Sequence, residues 1–189
     1  MEKIPQIYDL AKHLYDKIVK LNKDMISFIG DDFVVDSEEL FIEMDHYLQA
    51  ILFMVALADD RLVDIELSFI DDIADYEDLF EKDKLSSMCQ MSEEQKKDYA
   101  TICEKVLSSV PMFVQLSVAC DKKVDSMCQI IKPTYCQRVF DYLKRLSTYL
   151  KFIDGNVKDI EDKVSKKVLT SVVTYYKKHY VMYAPNRKK

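Results

Sequence analysis

Apolar residues recur at three- and four-residue spacing along nearly the whole chain, the signature of amphipathic helices. Ile7, Leu10, Leu14, Ile18 and Leu21 form one such stripe behind Pro5, a residue suited to a first helical turn. Gly30-Asp31-Asp32 closes that region. Asp36 and Glu39 stand at capping-box spacing and predict a second helix through Phe41, Met44, Leu48, Ile51, Leu52 and Val55. It stops around Asp59-Asp60. A short third helix starts near Asp64 and carries Ile65, Phe69, Ile70 and Ile73, and a further one with loops is expected over 76–91. Ser92 and Gln95 repeat the capping-box spacing ahead of Tyr99, Ile102, Cys103, Val106 and Leu107. Pro111 opens an apolar helix to about Cys120, and a separate short segment follows over 124–131. Pro133 starts a long helix through Val139, Tyr142, Leu143, Leu146 and Leu150, which Asp154-Gly155-Asn156 breaks. The last helix runs over 159–180. No stretch alternates with period two. The pattern predicts an all-α, compact bundle of eight or nine helices.

Composition narrows the classes. With two glycines and four prolines in 189 residues, a turn-rich β or βαβ fold is excluded as an expectation, and so is a Gly-rich phosphate loop. No linker divides the chain, so a single domain over 1–183 with a basic tail over 184–189 is expected. The longest apolar run, 47–58 with Gln49 inside it, falls short of the ~20 residues of a membrane span and reads as a buried helix. No signal peptide or transmembrane segment is expected. Five cysteines at 89, 103, 120, 128 and 136 include no CxxC pair and no nearby histidine. They read as buried thiols of a reducing, cytoplasmic compartment rather than as disulfides or a zinc site.

Charge is unevenly placed. Residues 163–189 hold eight Lys/Arg and no acid, so the rest of the chain carries −14 against −6 for the whole. Residues 59–84 hold eleven acids against three bases. An acidic body of this kind repels nucleic acid. The basic end either complements a helix dipole and a solvated tail, or docks an acidic partner, a second copy of the chain, or an anionic membrane surface.

Two segments match without gaps. Asp59-Asp60-Arg61-Leu62-Val63-Asp64-Ile65-Glu66 aligns with Asp154-Gly155-Asn156-Val157-Lys158-Asp159-Ile160-Glu161. Both keep the first Asp, an aliphatic fourth residue and a closing Asp-Ile-Glu. Asp121-Lys122-Lys123-Val124-Asp125 is a weaker echo. The first Asp suits a turn, and the two late acids suit the first turn of the next helix. A purely structural corner needs no more than this. The alternative is a divalent-cation site for Ca2+ or Mg2+ built from Asp59, Asp64 and Glu66 in one copy and Asp154, Asp159 and Glu161 in the other. Neither copy fits an EF-hand loop, because Lys158 stands at a ligand position and no glycine follows it.

The duplicated pattern of apolar helix, Asp-Gly-x-aliphatic-x-Asp-x-Glu and amphipathic helix resembles the tellurite-resistance TerB-like superfamily, which includes the N-terminal domain of DjlA-type co-chaperones. The resemblance covers 47–73 and 139–173. It implies a compact helical bundle of two pseudo-repeats, an acidic surface, association with metal or chemical stress, and cation binding or action at the inner membrane face rather than catalysis. The six acidic residues above are the ones it carries over. Asp60 replaces the glycine in the first copy, and Val63 and Lys158 replace the usual acid before Asp-x-Glu.

Catalytic constellations are sparse. Glu43-Met44-Asp45-His46 is a single ExxH, whereas a di-iron bundle needs two with further glutamates. No GxSxG occurs. Histidines are confined to 13, 46 and 179, and the cysteines sit among apolar neighbours. Tyr175, Tyr176, Tyr180 and Tyr183 read as core and rim packing. The expected function is a non-enzymatic, stress-associated binding or scaffold module that requires no cofactor and has a protein partner. The alternative is an assembly module that oligomerises or docks an acidic partner through its basic C-terminal helix.

Overall fold

A computed structural model describes residues 3–59, 61–80, 85, 91–127, 134–153 and 159–179, and among them regular structure is entirely helical. The α-helices are α1 (Lys3–Ile29), α2 (Ser37–Ala56), α3 (Asp64–Asp72), α4 (Glu93–Ser108), α5 (Met112–Met127), α6 (Tyr135–Ile153), α7 (Asp159–Val168) and α8 (Thr170–His179). Short 3-10 turns at Gly30–Asp32 and Leu57–Asp59 follow α1 and α2. Counted as long rods among the described residues there are six, because α3 has only nine residues and α7 and α8 abut across Leu169. Thr170 Oγ1 still donates to the Lys166 carbonyl across that break (3.0 Å). This corrects the expected eight or nine helices. The segment expected to begin near Val124 is the end of α5, since nothing between Cys120 and Val124 breaks a helix. Of the helix expected over 76–91, residues 76–80 are irregular, and most of the remainder lies outside the described residues, as does the tail 184–189.

α2 is the hub. Thirteen of its twenty residues are buried, and it packs on α3, α4, α5, α6 and α7. Burying one of its large apolar side chains is worth about 1.5–3 kcal/mol, so this helix supplies much of the hydrophobic drive. Phe53 meets Phe80 (5.1 Å) and Tyr99 (6.3 Å), joining α2, the irregular segment and α4 in one aromatic cluster. By length and composition alone, Ser37–Asp59 and Glu93–Val124 could each cross a membrane, a span longer than the apolar run 47–58 suggested. In this fold 72% of the first window is buried as core.

The helices that flank the two acidic segments pack crosswise. α2 and α6 pack on each other. α3, which follows α2, meets α6, while α7, which follows α6, packs on α2 and on the Leu57–Asp59 turn. α1 crosses α5 and α6. Its buried seam runs through Ala11, Leu14, Tyr15, Ile18, Leu21, Met25 and Ile29. Leu10, expected in that seam, is 50% exposed, because at 100° per residue it falls to the side of the Ala11–Leu14–Ile18 line. Ile102, likewise expected inside, is 44% exposed. Gly30 leaves α1 with φ +58, a conformation that costs glycine little.

Local caps appear where the spacing put them. Asp36 accepts from the Glu38 and Glu39 N–H groups (2.9 and 3.2 Å). Ser92 and Gln95 exchange both bonds of a capping box. Other caps act over long separations. Asp45 is fully buried on α2. Its Oδ1 accepts from the Tyr15 hydroxyl (2.8 Å) and its Oδ2 from the Asp75 and Tyr76 N–H groups (3.0 and 2.7 Å). One turn on, Gln49 donates to the Ile70 carbonyl (3.1 Å) and to Asp78 (3.0 Å), and accepts from the Leu79 N–H (2.6 Å). These two side chains clasp the segment after α3 onto α2. Asp121 of α5 accepts from the Tyr135 and Cys136 N–H groups (2.7 and 3.0 Å), while Thr134 Oγ1 takes that of Gln137 (3.1 Å). The first three free donors of α6 are thereby satisfied. Glu43 accepts from the Met112 N–H at the start of α5 (2.6 Å).

Asp45→Ala removes the acceptor of the buried Tyr15 hydroxyl and of the Tyr76 N–H and leaves the Asp75 N–H only the Tyr15 oxygen (3.2 Å), and should cost about 3 kcal/mol in urea unfolding, against about 1 kcal/mol for Tyr15→Phe. Burial raises the Asp45 carboxyl above the ordinary carboxylate range, so the folded chain holds that proton more tightly than the unfolded chain. Its contribution is full below the ordinary value of about 3.9 and is lost as pH rises through the raised one. Stability measured against pH in acid should lose that slope in Asp45→Asn.

Candidate functional site

The first acidic corner uses its carboxylates on its own backbone. Asp59 Oδ1 accepts from the Arg61 N–H (3.0 Å), which closes the turn after α2. Glu66 is buried, and its Oε2 accepts from the Val63 N–H (3.2 Å) at the entry to α3. Valine has no side-chain acceptor, so this is the returning half of a capping box alone. Asp64 is exposed. Leu62, the aliphatic fourth residue, is buried as the pattern required. Among the described residues no group of three or more His, Cys, Asp or Glu gathers in a metal-holding arrangement, and Asp59, Asp64 and Glu66 form none. Asp154 lies outside the described residues, and so do the side chains of Asp159 and Glu161.

The nucleophile candidates are packed. Cys103, Cys120 and Cys136 are buried free thiols. Burial pushes the Cys120 thiol up to about 12, helped by the neighbouring Asp121 charge, and raises Cys103 and Cys136 as well. Cys136 sits 3.4 Å from Ser117 Oγ, which also meets the Tyr176 hydroxyl at 2.9 Å and so ties α5 to α6 and α8. Tyr176 is core and Tyr175 half-buried, as expected of packing residues, while Tyr180 and Tyr183 lie outside the described residues. Of the ExxH pair, Glu43 caps α5, and the half-buried His46 faces Glu77 at 3.5 Å.

Two surface cavities border the α7–α8 rod among the described residues. One, about 430 Å³, lies between the C-terminal ends of α2 and α4 and the α7–α8 rod. Met54, Leu57, Leu107 and Val168 give it apolar walls. The other, about 660 Å³, runs between α6 and α7–α8. Lys144 and the buried Lys151 on α6 face Lys166 and Lys177 on the opposite rod, and among the described residues no acidic one lines it. Phe140, Leu169 and Val173 supply apolar lining. Lys144, Lys166 and Lys177 are exposed and make no ion pair among the described residues. The hydroxyl protons of Thr148 and Thr170 are already given to the carbonyls of Lys144 and Lys166, and Ser165 pairs with Ser147. The ammonium groups of Lys144, Lys166 and Lys177 and the Thr174 hydroxyl are therefore donors available to a ligand. Like charges held close together repel, and an anion seated among them relieves that repulsion.

The late lysines were readable as a charge block. Lys144 and Lys151 were not singled out, because only packing brings α6 beside the last rod. No protein-family model, curated protein or solved structure matches the chain.

Raised thiols buried in apolar surroundings should resist alkylation. Iodoacetamide followed by peptide mass spectrometry should leave Cys103, Cys120 and Cys136 unmodified in the native chain and modify all three in urea.

Proposed function

We propose that this chain is a non-enzymatic helical interaction module that docks an acidic partner on the lysine-lined groove between α6 and α7–α8. The observation that carries this reading is a groove of about 660 Å³ that Lys144, Lys166 and Lys177 line with exposed ammonium groups and that no carboxylate lines among the described residues, set in a chain whose net charge is −6. Charge of one sign concentrated in a concave surface steers an oppositely charged partner and fixes where it lands. The acidic remainder of the surface opposes binding elsewhere. The buried thiols and the capping role of Glu43 agree with a role in contact rather than chemistry.

The TerB-like kinship belongs to the same proposal. The exchange in which each corner's second helix packs on the other corner's first helix supports two pseudo-repeats around the α2–α6 contact. Such a frame would hold the groove walls rigid, since α6 belongs both to the pseudo-symmetric centre and to the groove.

Calorimetric titration with tripolyphosphate as the anionic probe tests the reading. Lys144→Glu/Lys177→Glu should weaken binding by about tenfold or more, while Lys97→Glu/Lys105→Glu on α4 should change it by less than about twofold. Equal affinity in the two double variants would overturn the groove as the docking site.

A further inference from the structure

The groove has a length and a lining that choose among acidic partners. From Phe140 to Lys151 along α6 is eleven residues, about 16 Å of helix, and the facing side from Ser165 to Lys177 is of similar length. At about 3.3 Å per residue, an extended chain crosses that distance in about five residues. The lining is of two kinds. Lys144, Lys166 and Lys177 are exposed at its edges, whereas Phe140 and Val173 are half-buried and Leu169 is buried. An extended segment presents alternate side chains to opposite sides, so one set can meet the apolar lining while the other meets lysines.

The chemistry disfavours nucleic acid. Among the described residues the lining contains no arginine and one aromatic ring, that of Phe140. Single-stranded nucleic acid is held by stacking platforms along a basic track, with arginine favoured for its planar fork. Lysine is a point charge on a flexible stem, and it pairs with carboxylates without demanding a fixed geometry.

We infer that the occupant of the groove between α6 and α7–α8 is an extended acidic peptide segment of about five residues, alternating carboxylate and apolar side chains. This rests on the reading of the groove as an anion-docking site and adds the class of partner. Binding is weak and salt-sensitive, because exposed ion pairs carry its charged part.

Fluorescence anisotropy with the full chain tests it, using a labelled peptide that alternates Glu and Leu, a second that alternates Glu and Ser, and labelled oligothymidylate. The Glu/Leu peptide should bind. It should weaken about tenfold in Lys144→Glu/Lys177→Glu, and weaken again between about 50 and about 300 mM NaCl. The Glu/Ser peptide should bind at least about threefold more weakly, since it lacks the apolar set. The substituted lysines are exposed, and circular dichroism of the double variant checks that its fold is retained. If tripolyphosphate binds the groove but the Glu/Leu peptide does not, the peptide assignment fails and the anion-docking reading survives. Tighter groove binding by oligothymidylate than by the peptide overturns the assignment in favour of nucleic acid. Equal affinity for the two peptides removes the apolar half of the claim. If no probe binds, both readings fail.

Discussion

Backbone N–H groups at the start of a helix or in an irregular segment must find acceptors once they are buried, and in this chain side-chain carboxylates supply many of them. Asp45 reaches from α2 to the segment after α3, Glu43 from α2 to the start of α5, and Asp121 from α5 to the start of α6. A fold with two glycines and few tight turns joins its rods through irregular segments that need anchoring. Each anchoring acid stands on a helix already fixed by hydrophobic burial. Burial raises all three carboxyls because desolvation opposes their charge, and the N–H groups that they accept work in the opposite direction. The arrangement orders the joints without adding mobile surface.

The same division of labour organises the surface. Acids beside the helix ends are spent on backbone, as at Asp59 and Glu66, while the lysines of α6 and the last rod gather around an open groove. The α2–α6 contact and the exchange of α3 and α7 place one groove wall on the most buried part of the molecule. A ligand entering there meets a wall whose ordering was completed on folding, so the conformational cost of association falls mainly on the ligand.

Local chemistry was readable from the chain. The Ser92–Gln95 box, the Asp36 cap, the turn at Gly30 and the burial of Leu62 all depend on residues within four positions of one another. Asp45, Gln49 and Asp121 escaped because they interrupt an apolar pattern and act on backbone 14 to 31 residues away. Periodicity registers such residues as polar breaks, although Asp45 and Gln49 are fully buried. The stripe in α1 was placed one residue off at Leu10, since three- and four-residue spacing admits both Leu10 and Ala11 and only packing on the neighbouring helices decides. Half of the groove was visible as a basic block. Its other half, Lys144 and Lys151, looked like ordinary helix surface until α6 was set beside the last rod.

The Asp121 cap has a consequence for connectivity. It fastens the first turn of α6 directly to α5, and Ser117 adds a second fastening through Cys136 and Tyr176. The peptide between Met127 and Thr134 is thus not the sole mechanical link between these helices. Were the covalent connection cut, a carboxylate and a hydroxyl would still button the two fragments together, so the register of α6 on α5 is written into side chains as well as into the backbone.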